Sequence, residues 1–385
     1  PGMVAIFTHH LDRGPNTPPV QSQSLAYSHD KGRTWVKYEG NPVLTHPEKI
    51  DFRDPKVFWY EEAQRWIMVL ATGQTVSLYS STNLKNWDFE SEFGTGAGCH
   101  DGVWECPDLF ELTVDNTGEK KWVLLVSIGD NPQYDAGSRT QYFVGTFDGS
   151  QFVSEHTDVR WLDFGKDNYA GVSFSDIPDG RRIYLGWMSN WRYADKVPTD
   201  GWRNQMTIPR ELCLRKMNDN YQIIQKPVKE LDTYFSLESE LKDLIVSNLV
   251  KKEYMIDKAF FGMNVSFENI DAANYGLIIQ HKENQFTMIT IDTKEQELVL
   301  DRSRSGKTDF SSNFKKLQKL KLSDTQQLQI CVIHDSSSVE LIINDGEQAL
   351  TSLIYPDKVC ESISFFASEG SMKIVNIKLF KPFQR

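Results

Sequence analysis

Apolar and polar residues alternate with a period of two over much of this chain, in short runs bounded by Gly, Asn, Asp and Pro. This alternation predicts β-strands with one buried face, whereas the 3.6-residue period of an amphipathic helix is almost absent. Residues 286–291 and 328–333 are two clear examples of such strands. We therefore expect an all-β protein.

Two segments of the first half are near-copies of one another. Residues 52–58 read FRDPKVF and residues 104–110 read WECPDLF, so their prolines lie 52 positions apart, and each copy precedes a similar apolar strand. A weaker third unit covers residues 172–187, and residues 28–35 match the Asp box, a turn motif of propellers. A repeat of about 50 residues built from short strands predicts β-propeller blades, with the repeated segment at the central channel.

Tryptophan content marks a change of domain along the chain. All ten tryptophans lie between Trp35 and Trp202. Residues of about 230–250 resemble a short helix or linker, and alternating strands then return, including a hairpin signal at residues 344–346. We expect a propeller over residues 1–228, a linker over 229–245 and an antiparallel β-sandwich over 246–385.

Composition narrows the classes of partner. The net charge is -11, from 42 basic and 53 acidic residues, which disfavours nucleic acid and fits a neutral substrate. Apolar runs have only strand length, so no membrane span is expected. The five cysteines lack metal-ligand spacing, and a single bridge between Cys331 and Cys360 stays open. We expect neither a metal nor a cofactor, because phosphate-binding Gly-rich loops are also missing.

The duplicated segments supply two carboxylates, Asp54 and Glu105, as candidate catalytic groups. Glycoside hydrolysis needs one carboxyl group that donates a proton and a second that stays ionised. Glu105 lies between Trp104 and Cys106, an apolar setting that suits the acid, whereas the charge of Arg53 would keep Asp54 ionised. The alternative is that Asp and Pro at strand starts are ordinary turn residues. The repeated placement favours the catalytic interpretation.

The tryptophans allow two interpretations, because an indole ring stacks on sugar faces and also fills β-protein cores. Those at repeat positions are expected to be structural. Those in less regular segments are candidates for a sugar-binding cleft: Trp104, Trp187, Trp191 and Trp202.

Four motifs together resemble glycoside hydrolase family 32. They are FRDP at 52–55, WECPD at 104–108, GWMSNW at 186–191 and IPREL at 208–212. Members of this family, the levanases, inulinases and invertases, cleave β-fructofuranosyl bonds. The resemblance covers nearly the whole chain and implies a five-bladed propeller, a C-terminal sandwich and a retaining, double-displacement mechanism on levan, inulin or sucrose-type substrates.

The resemblance also implies roles for individual residues. Glu105 matches the general acid/base, and Asp54 matches the carboxylate that binds fructosyl hydroxyls in the transition state, with Arg53 beside it. Three further substrate-binding positions follow from the family pattern. Asp167 and Tyr169 fall where the family has Asp-Phe-Tyr-Ala, and Trp191 matches a tryptophan of the fructosyl pocket.

One family motif is missing. The nucleophile is an aspartate in an N-terminal Trp-Met-Asn-Asp-Pro-Asn-Gly signature, which does not occur in these 385 residues, so no nucleophile is assigned in this chain. The Phe-Ser-Gly segment of the pocket is also missing. Residues 1–7 resemble a strand of the second blade, which leads us to expect a propeller that is N-terminally incomplete.

Three functional hypotheses remain from the sequence. In the first, the chain belongs to a fructan-hydrolysing enzyme whose missing blade is disordered, processed away or supplied by a partner chain. In the second, it is a truncated fructan-binding or regulatory pseudoenzyme that self-association through its open edge would stabilise. The third is a propeller glycosidase of other specificity, such as an arabinan-cleaving relative, which the paired motifs disfavour. We expect an extracellular or periplasmic location.

Overall fold

The computed structural model describes residues 2–133, 137–218, 220–248 and 252–383. Within these ranges the regular structure is antiparallel β-sheet, with two short 3-10 turns at Lys229–Thr233 and Asn344–Gly346. The expected all-β class, a propeller followed by a sandwich, is confirmed.

In the described part of the first domain, the strands form four sheets. The first contains β1 (Met3–Leu11), β2 (Val20–Ser28), β3 (Val36–Lys37) and β4 (Leu44–Thr45); the second contains β5 (Arg53–Tyr60), β6 (Arg65–Ala71), β7 (Val76–Ser81) and β8 (Asp88–Phe93). The third contains β9 (Trp104–Thr113), β10 (Lys120–Ile128), β11 (Arg139–Phe147) and β12 (Phe152–Ser154); the fourth contains β13 (Tyr169–Phe174), β14 (Arg182–Met188), β15 (Gln205–Met206), β16 (Arg210–Met217) and β17 (Asn220–Pro227). Strands β1, β5, β9 and β13 contact one another in sequence, as the innermost strands of propeller blades do.

Apolar clusters between neighbouring blades hold the propeller together. One cluster joins the second and third blades and includes Trp104 and Phe143, each 0% exposed. Another joins the third and fourth blades around Tyr184 and Leu214. The third blade is therefore buried on both faces, which fixes its inner strand relative to those of its two neighbours.

The second domain is a sandwich of two six-stranded sheets. One has the order β18 (Phe235–Ser247), β29 (Ser371–Pro382), β20 (Phe261–Asn269), β25 (Gln327–Asp335), β26 (Ser338–Ile343) and β27 (Gln348–Leu353). The other has the order β19 (Lys252–Lys258), β28 (Cys360–Ser368), β21 (Asn274–Lys282), β22 (Gln285–Asp292), β23 (Glu297–Arg304) and β24 (Gln318–Lys321). Their inner faces share one apolar core. The predicted hairpin is confirmed, because β26 and β27 pair across the turn at Asn344–Gly346.

The connection between the domains is shorter than the expected linker of residues 229–245. Residues Lys229–Thr233 form a 3-10 turn, and Phe235–Ser247 already form the 13-residue strand β18, paired along β29. The charged, exposed residues of this segment resemble a linker in sequence. They are charged because β18 is an edge strand, and edge strands commonly carry charges that oppose aggregation.

The Asp box at residues 28–35 has the expected turn geometry. The carboxylate of Asp30 accepts hydrogen bonds from the backbone N–H and the hydroxyl of Thr34, at 2.8 and 2.7 Å, and the indole of Trp35 donates to the carbonyl of Gly32 at 3.0 Å. A related turn that the sequence analysis missed lies in the second blade, where Asn83 takes the place of the aspartate. Both turns are structural.

All five cysteines lie in described segments and are free thiols, so Cys331 and Cys360 are not bridged. Among the described residues, no helix is long and apolar enough to cross a membrane.

Candidate active site

The inner strands of three neighbouring blades share the same distortion near their first residue. Between Arg53 and Lys56, between Glu105 and Asp108, and between Tyr169 and Val172, the inner strand advances three residues while its partner advances two. Each is therefore a β-bulge with one extra residue. The residue after Arg53, Glu105 or Tyr169 has a positive φ, of 60°, 48° and 51° respectively. Such backbone strain is typical of functional sites.

The three residues that precede the bulges meet one another. The Nη2 of Arg53 lies 2.9 Å from Oε1 of Glu105, and the hydroxyl of Tyr169 donates a hydrogen bond to Oε2 of the same carboxylate. The Nη1 of Arg53 pairs with Asp51. Burial disfavours the charged form of Arg53, but its hydrogen bonds to Asp51 and Glu105 and their negative charges outweigh burial and raise its pKa. Burial and the charge of Glu105 raise the pKa of Tyr169, so that its hydroxyl stays a donor.

Asp54 lies at the first bulge and is held by hydrogen bonds to the Thr8 side chain and the Cys106 backbone. Its N–H donates to the hydroxyl oxygen of Thr8 at 3.0 Å, and its Oδ2 accepts the N–H of Cys106 at 3.0 Å. The guanidinium of Arg53 is 3.9 Å from the same oxygen. Burial raises the pKa of Asp54, against the opposing effects of the Cys106 N–H and Arg53. Arg53 therefore serves Glu105 more closely than Asp54, which differs from the sequence expectation.

Aromatic rings extend from Tyr169 toward solvent. The rings of Tyr169 and Trp187 have centroids 6.2 Å apart, and those of Trp187 and Trp191 are 4.9 Å apart. Trp191 is 55% exposed, which is unusual for so large an apolar side chain. The carboxylates of Asp54 and Glu105 thus lie near an aromatic wall with a solvent-facing indole at its outer end, an arrangement that suits a sugar ring.

Little space remains behind Glu105. A Cβ atom added at Gly129, which follows β10, would lie 3.3 Å from Oε2 of Glu105. Among the described residues, no group of three or more His, Cys, Asp or Glu side chains is placed to hold a metal ion. The chemistry that this site offers is that of carboxylates, a tyrosine hydroxyl and an arginine.

Comparison with known protein families identifies both domains. The family model "Glycosyl hydrolases family 32 N-terminal domain" matches residues 2–227, and "Glycosyl hydrolases family 32 C terminal" matches residues 230–381. The chain belongs to glycosyl hydrolase family 32.

Among its family 32 relatives, a levanase of Bacillus subtilis is 45% identical over 98% of this chain and 56% of its own length. A levanase of Bacillus sp. strain L7 is 37% identical over 98% of this chain and 42% of its own length, so the chain spans about half of these two relatives. The extracellular exo-inulinase of Aspergillus niger is 32% identical over 97% of the chain and 75% of the relative.

Solved family 32 structures share the fold of this chain. The exo-inulinase of Aspergillus awamori has a TM-score of 0.87 and 28% identity, over 100% of this chain and 80% of that one. The fructofuranosidase of Schwanniomyces occidentalis, solved in complex with fructose, has a TM-score of 0.87 and 30% identity, over 99% and 79% of the two chains.

Two substrate-binding expectations for this family 32 chain are wrong. Trp104 is 0% exposed, lies in the core between blades, and donates from its indole to the carbonyl of Cys99 at 2.8 Å. Asp167 is also 0% exposed, and both its carboxylate oxygens are occupied by Tyr193, Arg302 and the N–H of Leu353. Neither side chain is accessible to a sugar.

The contact with Thr8 was missed by sequence reasoning. Thr8 lies 46 positions before Asp54 in a strand without a distinctive motif, so no local signal marks it. No local signal marks the ion pair below the site in this family 32 propeller either. The ammonium of Lys56 lies 3.3 Å from Oδ1 of buried Asp108, whose Oδ2 accepts the N–H of Ser173 at 2.6 Å.

Proposed function

We propose that this chain supplies the acid/base and transition-state groups of an enzyme that hydrolyses β-fructofuranosyl bonds in levan, inulin or sucrose-type substrates with retention of configuration. The observation that carries the proposal is the contact of Arg53, Glu105 and Tyr169 at three equivalent bulges, with Asp54 beside them. Membership of family 32 and the levanase and inulinase relatives support the substrate class.

Glu105 acts first as the acid and then as the base. In the first step its carboxyl proton passes to the glycosidic oxygen as the bond from the fructosyl C2 to that oxygen breaks, and a carboxylate forms a new bond to C2. In the second step Glu105 takes a proton from water, whose oxygen replaces the carboxylate at C2. Donors at both Glu105 oxygens match the ionised state that the second step needs. Before the first step, when Oε2 of Glu105 carries a proton, the Tyr169 hydroxyl can rotate so that its oxygen accepts a hydrogen bond from that Oε2–H.

Asp54 binds the fructosyl ring and does not react covalently. Its carboxylate is fixed by the Cys106 N–H and faces the same site as Glu105. A carboxylate that hydrogen-bonds ring hydroxyls stabilises the transition state more than the ground state as charge develops on the sugar. Trp191 provides a surface on which the sugar stacks.

The nucleophile is proposed to come from outside these 385 residues, since the family's Trp-Met-Asn-Asp-Pro-Asn-Gly signature is not among them. Another segment of the same polypeptide, or another chain, would supply it. Exposed apolar side chains on the first and last described blades fit contact with such a segment, including Val4 and Leu11 on β1 and Phe174 on β13. Polymeric fructans do not cross membranes, so we propose that the protein acts outside the cytoplasm, as the extracellular exo-inulinase relatives do by name.

The proposal is tested by measuring fructose release from levan, inulin and sucrose by the purified protein. The intact mass of that protein is first compared with the mass of these 385 residues. Glu105→Gln should reduce release by roughly 10²- to 10⁴-fold, because a general acid/base is lost while the side-chain shape is kept. Glu111→Gln, on the same strand β9 and paired with Lys120 at the surface, is the matched control and should retain activity. Equal rates in parent and Glu105→Gln would overturn the acid/base assignment.

The second candidate function is fructan binding without turnover, for which exposed Trp191 beside Trp187 offers a surface for sugar stacking. A parent protein of the mass of these residues that binds levan and releases no fructose would support it.

A further inference from the structure

One arginine of the sandwich reaches into the propeller beneath the sugar site. Arg302 on β23 is 0% exposed, and its Nη1 bonds the carboxylate of Asp167 and, at 3.0 Å, the carbonyl of Leu353. Its Nη2 donates to the hydroxyl of Tyr193 at 2.7 Å, and its Nε donates to the carbonyl of Phe314 at 2.8 Å. A buried guanidinium with this many partners has one well-defined position.

The first propeller segment that Arg302 contacts leads directly to Tyr169. Asp167 lies two residues before it, and Oδ2 of Asp167 also accepts the N–H of Leu353 at 2.8 Å. The intervening Asn168 is fixed by Tyr184, whose hydroxyl donates to its Oδ1 at 2.7 Å. The backbone that enters Tyr169 is therefore held in place from the sandwich side.

The second segment carries Trp191. Tyr193 lies two residues after it, is 0% exposed, and donates its hydroxyl to Oδ1 of Asp167 at 2.6 Å. Nearby, the side-chain amide of Asn190 donates to the carbonyl of Lys166 at 2.9 Å. Arg302, Asp167 and Tyr193 thus form a closed triangle that joins the two segments to each other and to the sandwich.

We propose that Arg302 is a positioning residue for the sugar site, which sets Tyr169 through Asp167 and Trp191 through Tyr193. The sandwich domain then helps to order the sugar site through Arg302. The effect on fructan chemistry rests on the proposed function, whereas the effect on the two segments does not. Lysine at this position keeps the charge but cannot bond Asp167, Tyr193 and Phe314 together, because it lacks the planar fork of donors.

A second buried arginine at the same domain interface provides a matched control. Arg210, on propeller strand β16, is 0% exposed and pairs with Asp163 at 2.9 Å and with Glu340 of the sandwich at 2.6 Å. Its bonds among the described residues do not include Asp167 or Tyr193. Loss of either arginine weakens the domain interface, but only loss of Arg302 removes the triangle.

Hydrogen exchange of backbone amides, followed by mass spectrometry, separates these effects. Arg302→Lys should speed exchange at least tenfold in peptides that cover residues 167–170 and 189–193, relative to the parent. Arg210→Lys should leave residues 189–193 unchanged; residues 167–170 do not serve as a control for it, because its partner Asp163 also accepts the side-chain amide of Asn168 at 3.1 Å. Unchanged exchange in Arg302→Lys, or the same increase at residues 189–193 in both variants, overturns the proposal.

A milder pair of variants keeps the test decisive if Arg302→Lys does not fold. Tyr193→Phe removes only the hydroxyl that bridges Arg302 and Asp167, and it should also speed exchange in both segments. Tyr275→Phe is its control, since that buried hydroxyl donates to the carbonyl of Thr325 at 2.8 Å within the sandwich. No difference between these two variants would contradict the positioning role.

Activity gives the functional consequence. In protein that releases fructose, Arg302→Lys should raise KM and lower kcat, for a combined loss of at least tenfold in kcat/KM, whereas Arg210→Lys should lower thermal stability with kcat/KM retained. Equal kcat/KM in the two variants would contradict the positioning role. If the parent neither binds nor hydrolyses fructan, the proposed function fails, and the exchange experiment still decides the role of Arg302.

Discussion

Arg53 and Glu105 occupy equivalent positions in neighbouring blades and form an ion pair of 2.9 Å between the inner strands β5 and β9. The repeat therefore does not place two carboxylates at the same point of each blade. It places an arginine, a glutamate and a tyrosine there, while Asp54 is equivalent to Cys106. The same kind of β-bulge, repeated in three blades, thus directs three different side chains to one site.

The Arg53 fork predicts that lysine cannot replace it. Arg53→Lys should lower the rate of fructose release by roughly 10²-fold, because one ammonium cannot bond Asp51 and Glu105 in fixed geometry at once and Glu105 loses its orientation. Steady-state kinetics measure the effect. Arg65→Lys, a surface pair with Glu90 in the same blade, is the control, and a similar loss there would contradict the assignment.

Exposed Trp191 predicts a loss of sugar affinity on truncation. Trp191→Ala should weaken binding of fructan oligosaccharides about 3- to 10-fold, as expected when one aromatic stacking contact is lost. Isothermal titration calorimetry measures the affinity. Trp35→Ala removes a similarly exposed indole, 43% against 55%, from the Asp-box turn and should bind as the parent does. Equal affinity in all three proteins would exclude Trp191 from the site.

The burial of Asp54 predicts that its replacement by asparagine stabilises the fold but lowers activity. Burial raises its pKa, so the folded protein holds the proton more tightly than the unfolded chain does. Its contribution to stability is present below the unfolded pKa of about 3.9 and is lost as pH rises through the folded pKa. Asp54→Asn should therefore have a higher Tm than the parent at pH 7, with the difference shrinking toward pH 3.5, and should release less fructose.

Calorimetry at the two pH values tests this trade, with Asp88→Asn, an exposed position on β8, as the control. A lower Tm for Asp54→Asn at pH 7 would show that ionised Asp54 stabilises the fold.

Two buried histidines predict acid sensitivity of the sandwich. His281 and His334 are both 0% exposed, with ring centroids 5.3 Å apart, and burial lowers their pKa values to about 3 and about 4. The proximity of His334 lowers that of His281 further. The contribution of the two neutral histidines to the free energy of unfolding is fully present above the unfolded pKa of about 6.5. It is lost as the pH falls toward the folded pKa values, by up to about 1.4 kcal/mol per pH unit for each histidine.

Urea unfolding at pH 7 and pH 5 measures this loss. His281→Leu should unfold with a smaller pH dependence than the parent, and His9→Gln, an exposed position on β1, should not differ from it. The same pH dependence in His281→Leu and the parent would assign the acid sensitivity to other groups.

The buried pair of Arg210 and Glu340 predicts strong coupling of the domains. Glu340→Gln should lower the free energy of unfolding by about 3–5 kcal/mol, since it leaves a buried guanidinium without one of its two carboxylates. Chemical denaturation measures it. Glu347→Gln, which loosens a partly exposed contact with Arg215 of 3.8 Å, should cost about 0–1 kcal/mol. Similar small losses in both variants would show that the pair contributes little.

The sequence by itself determined the all-β class, the propeller repeat, the Asp box and the hairpin at residues 344–346, and it nominated Arg53, Asp54 and Glu105 as candidate site residues. These features depend on residues close together in the chain. A turn is specified by its own Asp and Gly, and a blade by its own alternation, so local patterns carry enough information to predict them.

Only the tertiary structure decided what the side chains contact. Trp104 and Asp167 match a binding pattern in sequence, but both are buried, because neighbouring blades cover the first and Arg302, 135 positions away, covers the second. The segment after residue 234 resembles a linker until β29 is seen to pair with it. Burial, charge pairing and strand partners depend on chain segments brought together by folding, and no local pattern records them.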